Sequence, residues 1–175
     1  MGEQKLIFLH GAGGFADDRP LAHGLGAALG VPVDMPQFSD DDMSLEAWAS
    51  PIRARLATMS DDDLLVAHSF GASVLLHVLA EGGREMPRRA VLLAMPNWGP
   101  QGWGMAEYAF AAPEPRVALS LHHCLDDPEV PVAHLDLNAA LLPSARLHRH
   151  RTGGHQFGGL AEIIAADLRA GLPRV

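Results

Sequence analysis

At 175 residues, 48% of them hydrophobic, the chain is long enough to bury a substantial core without disulfides or metals, and it reads as one domain over residues 1–175. A net charge of −8, from 13 Lys and Arg against 21 Asp and Glu, excludes a nucleic-acid backbone as the natural ligand, and a single cysteine, Cys124, excludes an internal disulfide. The charged start, Met1 to Lys5, leads into too short an apolar run for a signal peptide or a membrane span, and Gly2 lacks the Ser or Thr at position 6 that myristoylation needs, since Leu6 stands there; a soluble cytoplasmic protein is expected.

Apolar runs alternate with segments of helical period, the pattern of a parallel sheet covered by helices on both faces. The expected strands are 5–9, 31–34, 64–67, 90–95, 117–122 and 146–150. The first helix opens at Asp18-Arg19-Pro20, carries Leu21, Leu25 and Leu29, and stops at Gly30. A second, capped by Ser44, repeats Leu45, Trp48, Ile52, Leu56 and Met59 at helical spacing. A third follows Ser69, a fourth spans about 132–142 ahead of Pro143, and the last places Leu160, Ile163, Ile164 and Leu168 on one face. The acidic runs 40–42 and 61–63 border predicted elements and read as solvated charges rather than cation sites. Segment 97–115, with Trp98, Trp103, Tyr108 and Phe110 among glycines and prolines, follows the fourth strand. There it either lines or covers a ligand crevice beyond the strand ends, or packs as a surface loop.

The third strand collides with a serine and continues as a helix: Ala67-His68-Ser69-Phe70-Gly71 fits the nucleophile elbow, with Ala in place of the first Gly. A hydroxyl becomes a useful nucleophile when a strained turn projects it into the open and a base can approach. That turn crowds strand against helix, so the residues two before and two after the serine must be small. Two further stretches complete the pattern. Asp126 and Asp127 follow the fifth strand, and Gly153-Gly154-His155 lies near the C-terminus, giving the chain order Ser, Asp, His with each residue after a different strand. A tetrahedral oxyanion needs preorganised donors, and the natural ones are the backbone N–H groups of Phe70 and of Ala12 in the turn His10-Gly11-Ala12-Gly13-Gly14. His10 reads mainly as a structural residue at a strand end. Together with Gly11, His68, Trp98 and Trp103 it is also a candidate for the substrate pocket.

These residues resemble the α/β-hydrolase superfamily, and within it the small serine hydrolases of the YdeN and retinoblastoma-binding serine hydrolase type. The likeness runs nearly end to end, through the His10-Gly11 turn, Asp34-Met35-Pro36, Trp48, the elbow, Asp127-Pro128-Glu129-Val130-Pro131 and Gly154-His155. The resemblance implies Ser69 as nucleophile, His155 as general base and Asp127 as the acid that orients it. Asp127 is preferred to Asp126 because it stands three residues before Val130-Pro131; Cys124 occupies a position where the family usually has Gly. A minimal lid-less three-layer α/β/α sandwich with a six-stranded parallel sheet follows, without a cofactor. A shallow pocket for a small ester, thioester or amide, cleaved through an acyl-enzyme, is expected with it.

Three rival readings remain. Gly11-Ala12-Gly13-Gly14-Phe15-Ala16 also fits a dinucleotide fingerprint, with Asp34 where a ribose-binding acid would stand, but Asp17 and Asp18 would then face a pyrophosphate. His122, His123, Cys124, His148 and His150 crowd the last two strands. Alternation sends His122 and His123 to opposite faces and no zinc spacing is present, so no metal is expected. A non-catalytic interaction module on a hydrolase scaffold is the third, with Trp98 or Trp103 as its contact.

Overall fold

The computed structural model describes residues 4–83 and 86–170, so the reading of Gly2 lies outside the described residues. In chain order the elements are β1 (Leu6–Leu9), α1 (Arg19–Leu29), β2 (Val33–Asp34), α2 (Leu45–Leu56), β3 (Leu64–His68), α3 (Ser69–Glu81), β4 (Arg89–Leu93), β5 (Ala118–Cys124), α4 (Ala133–Leu141), β6 (Arg146–His150) and α5 (Ala161–Ala170). The strands form one sheet in the order β2-β1-β3-β4-β5-β6, and every pairing is parallel. Strand order reverses between β1 and its two neighbours, so the crevice of an open α/β sheet lies between the loops after β1 and β3.

The sheet is covered on both faces, as its apolar runs require. Leu6, Phe8, Leu64, Val66, Val91 and Leu93 pack with Leu21 and Leu25 of α1 and Ile164 and Leu168 of α5. Ile7, Leu9, Leu65, Ala67 and Leu92 point the other way, onto Trp48 and Ile52 of α2, Val74, Leu75 and Leu79 of α3, and Leu135 of α4. Each fully buried Leu, Ile or Phe contributes roughly 1.5–3 kcal/mol by leaving water. Helix ends follow local chemistry. Ser44 Oγ accepts the Ala47 N–H at 3.3 Å, and Gly30 closes α1 at φ 71°, its N–H bonded to Ala27 O and Gly26 O. None of the described helices is long and apolar enough to cross a membrane.

Several strand boundaries differ from expectation, β2 among them: it begins at Val33 rather than Val31, whose N–H is bonded back to Gly26 O at the end of α1. β5 runs on to Cys124 and β3 includes His68, because pairing with β6 and β4 continues through those residues. β4 stops at Leu93, where Ala94 takes φ 47° while its N–H still bonds His122 O. Ile163 is 52% exposed rather than inward. The stripe of α5 that meets the sheet is Ile164, Ala165 and Leu168, and one residue of helical rotation turns position 163 to solvent.

Candidate active site

Ser69 stands at the junction of β3 and α3 with φ 52°, one of three non-glycine residues at positive φ among those described. Such a conformation costs a β-carbon-bearing residue free energy and persists only where packing over-determines it. Gly71 supplies that packing, since a Cβ there would lie 2.3 Å from His10 O and 2.9 Å from Leu9 O. Ala67 tolerates its methyl because it sits in regular strand, paired with Leu9 and Leu92 and fully buried. The loop after β1 presses equally close: a Cβ on Gly11 would stand 3.0 Å from Ser69 Cβ. Ala12 of that loop is exposed and Ser69 half-buried, while Phe70 is the second residue of α3.

The two candidate acids divide two tasks. Asp127 Oδ2 lies 2.8 Å from His155 Nδ1, and its Oδ1 accepts the N–H groups of Glu129 (2.8 Å) and Val130 (3.0 Å). Burial works to raise the Asp127 carboxyl, but these hydrogen bonds outweigh it and hold the group below the usual carboxylate range. Asp126 points away, its carboxylate accepting Gly153 N–H at 3.2 Å and Gly154 N–H at 2.9 Å, which anchors the loop that carries His155. Cys124 packs beneath the same loop, its Sγ 3.0 Å from where a Gly153 Cβ would be, so the turn forms with Gly153 at φ 137°. For His155, burial pulls the imidazole down, yet the hydrogen bond and charge of Asp127, with Glu129 and Asp18, raise it above its ordinary value. Glu129 Oε2 lies 3.5 Å from Nε2, on the solvent side of the ring.

Behind Ser69 lies a buried polar lock that the sequence did not single out. Asp18 Oδ2 accepts Gly11 N–H at 2.8 Å and meets His68 Nδ1 at 2.8 Å, and Asp18 Oδ1 accepts from Gln156 Nε2 at 2.9 Å. His68 Nε2 donates to His155 O at 2.9 Å. Burial works to raise the Asp18 carboxyl, but the bond and charge of His68 hold it low. The Asp18–His68 pair ties the β1 loop, the elbow and the His155 loop together, and the His68 and His155 rings lie 4.6 Å apart. Asp18 occupies the N-cap position of α1, yet its side chain makes no cap bond, being engaged in this lock.

The remaining pocket candidates separate. His10, fully buried among Phe15, Phe38 and Trp48, donates from Nδ1 to Gly11 O and accepts Phe38 N–H at Nε2, 3.0 Å away. His10, Gly11 and His68 are buried and support the loops around Ser69. The aromatic segment is packed rather than loose: Trp98 Nε1 donates to Ser73 Oγ at 2.8 Å, Tyr108 OH to Met43 O at 3.0 Å, and Phe70 meets both rings edge-on. Trp103, resting against Trp98, keeps 42% of its surface exposed.

Comparison with known proteins agrees with this architecture. The ydeN gene product from B. subtilis superposes with a TM-score of 0.75 at 21% identity, covering 95% of this chain and 97% of that one. A hydrolase of the α/β superfamily from Xanthomonas campestris gives 0.69 at 20% identity, over 97% and 99% of the two chains. Est1E from Butyrivibrio proteoclasticus gives 0.71 at 14% identity, over 95% and 86%. No curated protein sequence matches the chain significantly. A family model described as serine hydrolase matches residues 21–155, the stretch that runs from α1 through the elbow to the Asp127-bound histidine. With sequence and architecture in agreement, the chain belongs to the serine hydrolase family and is an enzyme of the α/β-hydrolase type.

Proposed function

We propose that the protein cleaves a small ester, thioester or amide through an acyl-enzyme carried on Ser69. The reading is supported by a serine at φ 52° on the end of a central strand, next in the chain to His68, whose ring lies 4.6 Å from that of His155, a histidine whose Nδ1 is held by a buried carboxylate at 2.8 Å. His155 Nε2 takes the Ser69 proton as Oγ attacks the acyl carbon, and the Asp127 carboxylate stabilises the imidazolium that results. Charge developing on the acyl oxygen falls to the N–H groups of Phe70 and Ala12. The imidazolium returns its proton to the leaving group as that bond breaks. Water, deprotonated by His155, then releases the acid and restores Ser69.

Substrate size follows from what surrounds the serine. The aromatic segment reaches Phe70 through Trp98, and Trp103, packed edge-on against Trp98 and 42% exposed, would give a short acyl group an apolar wall. The test is intact-mass labelling with a fluorophosphonate probe. Wild type is expected to take one adduct and Ser69→Ala none, followed by faster turnover of short than of long p-nitrophenyl esters. Absence of an adduct at neutral and mildly alkaline pH would overturn the proposal in favour of a protein-interaction role.

A further inference from the structure

On the face of β5 turned away from His123 and Asp127, a second group of side chains collects that the hydrolytic chemistry leaves unused. The alternation that separates His122 from His123 is the same that groups His122 with its neighbours across the sheet: His122 pairs in register with His148, and Cys124 with His150. The rings of His122 and His148 lie 4.2 Å apart and within 10° of parallel. Both present Nε2 to Asp167 of α5, at 3.1 Å from Oδ2 and 3.6 Å from Oδ1 respectively. His148 Nε2 is enclosed and, among the described residues, has no hydrogen-bond partner.

We propose that His122, His148 and Asp167 form a binding site for a divalent transition metal of the zinc class. Their ligand atoms already lie within 4.8 Å of one another. A tetrahedral zinc with bonds of about 2.0–2.1 Å sets its ligands about 3.3–3.5 Å apart, so the cluster closes by a small pivot of the half-exposed His148 on the edge strand. Two imidazoles and one carboxylate suit zinc, and leave a fourth position for water on the open side of His148. The outer partners that orient such ligands are present as well. His150 Nε2 lies 3.0 Å from His122 Nδ1, ready to accept that proton when Nε2 turns to the metal. Arg89 holds Asp167 Oδ1 at 2.6 Å, which leaves Oδ2 for the ion. The guanidinium also repels a cation, so the site is one of moderate affinity.

Isothermal titration of tag-free protein with ZnCl2 tests this. Wild type is expected to bind one equivalent with a micromolar or tighter dissociation constant, with a Tm rise of about 5–10 °C at a hundredfold excess of zinc over that constant. His148→Ala is expected to weaken binding at least about tenfold and Asp167→Asn similarly, whereas His23→Ala, on the exposed side of α1, leaves it unchanged. Should His148→Ala fail to fold, His148→Gln, which keeps the side-chain volume, serves in its place. No saturable binding by wild type, or an affinity the same in the His148 variant, overturns the proposal.

Discussion

Replacing Asp18 with Asn, His68 with Gln, and both together measures the ion pair behind Ser69. The partners are 2.8 Å apart with side chains only 1% and 2% exposed, so neither can recover its lost partner from water. Removing one member of such a pair strands the other and costs about 3–5 kcal/mol. For a chain of this length each kcal/mol lowers Tm by about 2–4 °C, so each single variant is expected to melt about 6–20 °C below wild type. The double variant, with no charge left to strand, melts near the better single, which corresponds to a coupling of at least about 2 kcal/mol. Thermal unfolding followed by circular dichroism gives the cycle, and p-nitrophenyl acetate hydrolysis adds a second reading. Because the pair holds Gly11 N–H and His155 O in place, kcat falls in both singles with KM nearly unchanged. Additive Tm shifts, or singles each costing under about 1 kcal/mol, would refute the lock.

Two further outcomes follow from the same geometry. His155 must be neutral to accept the Ser69 proton, and its imidazole is raised above the ordinary value of 6.5, so kcat/KM is expected to climb with pH through a midpoint above that value. Asp127→Asn lowers the midpoint and cuts the plateau by about 10⁴-fold, and an unmoved midpoint in the pH–rate profile would count against the assignment. Gly71→Ala places a methyl 2.3 Å from His10 O, a backbone atom that cannot step aside. It is expected to melt more than about 10 °C below wild type and to lose fluorophosphonate labelling, whereas Ala67→Gly, which only loosens a strand, costs about 0.5–1 kcal/mol. A Gly71→Ala protein with wild-type melting and labelling would show that the elbow is less crowded than its packing indicates.

What could be read from the sequence was whatever local spacing controls. The small residues on either side of Ser69 declare a strained turn, apolar periods mark the five helices and the inner strands, and chain order ranks serine, acid and histidine along one sheet edge. Buried polar partners are a different matter, because they depend on where the chain returns. Asp18 marks only a helix start in the sequence, and its partners emerge when α1 is docked behind the elbow, where His68 and Gly11 N–H claim its carboxylate. Ile163 belongs to the right helix and the wrong stripe, since a segment carrying Leu160, Ile163, Ile164 and Leu168 leaves the docking rotation open until α5 meets α1.

Asp126 and Asp127 show the same limit at its sharpest. Both are acids on one turn, and composition cannot separate them. Their side chains leave the backbone in opposite directions, one toward the amides of Gly153 and Gly154, the other toward His155 Nδ1. Only Asp127 lies where the N–H groups of Glu129 and Val130 can fix its second oxygen, which the compact turn into Val130-Pro131 makes possible. The spacing to Val130-Pro131 has a physical meaning: it is the length of chain that folds two amides back onto a carboxylate and holds its free oxygen toward the histidine. The histidines of β5 and β6 carry the argument one step further. Alternation within β5 could separate His122 from His123, but grouping His122 with His148 and His150 required the register between two parallel strands, which a long crossover through α4 leaves open until the sheet is assembled.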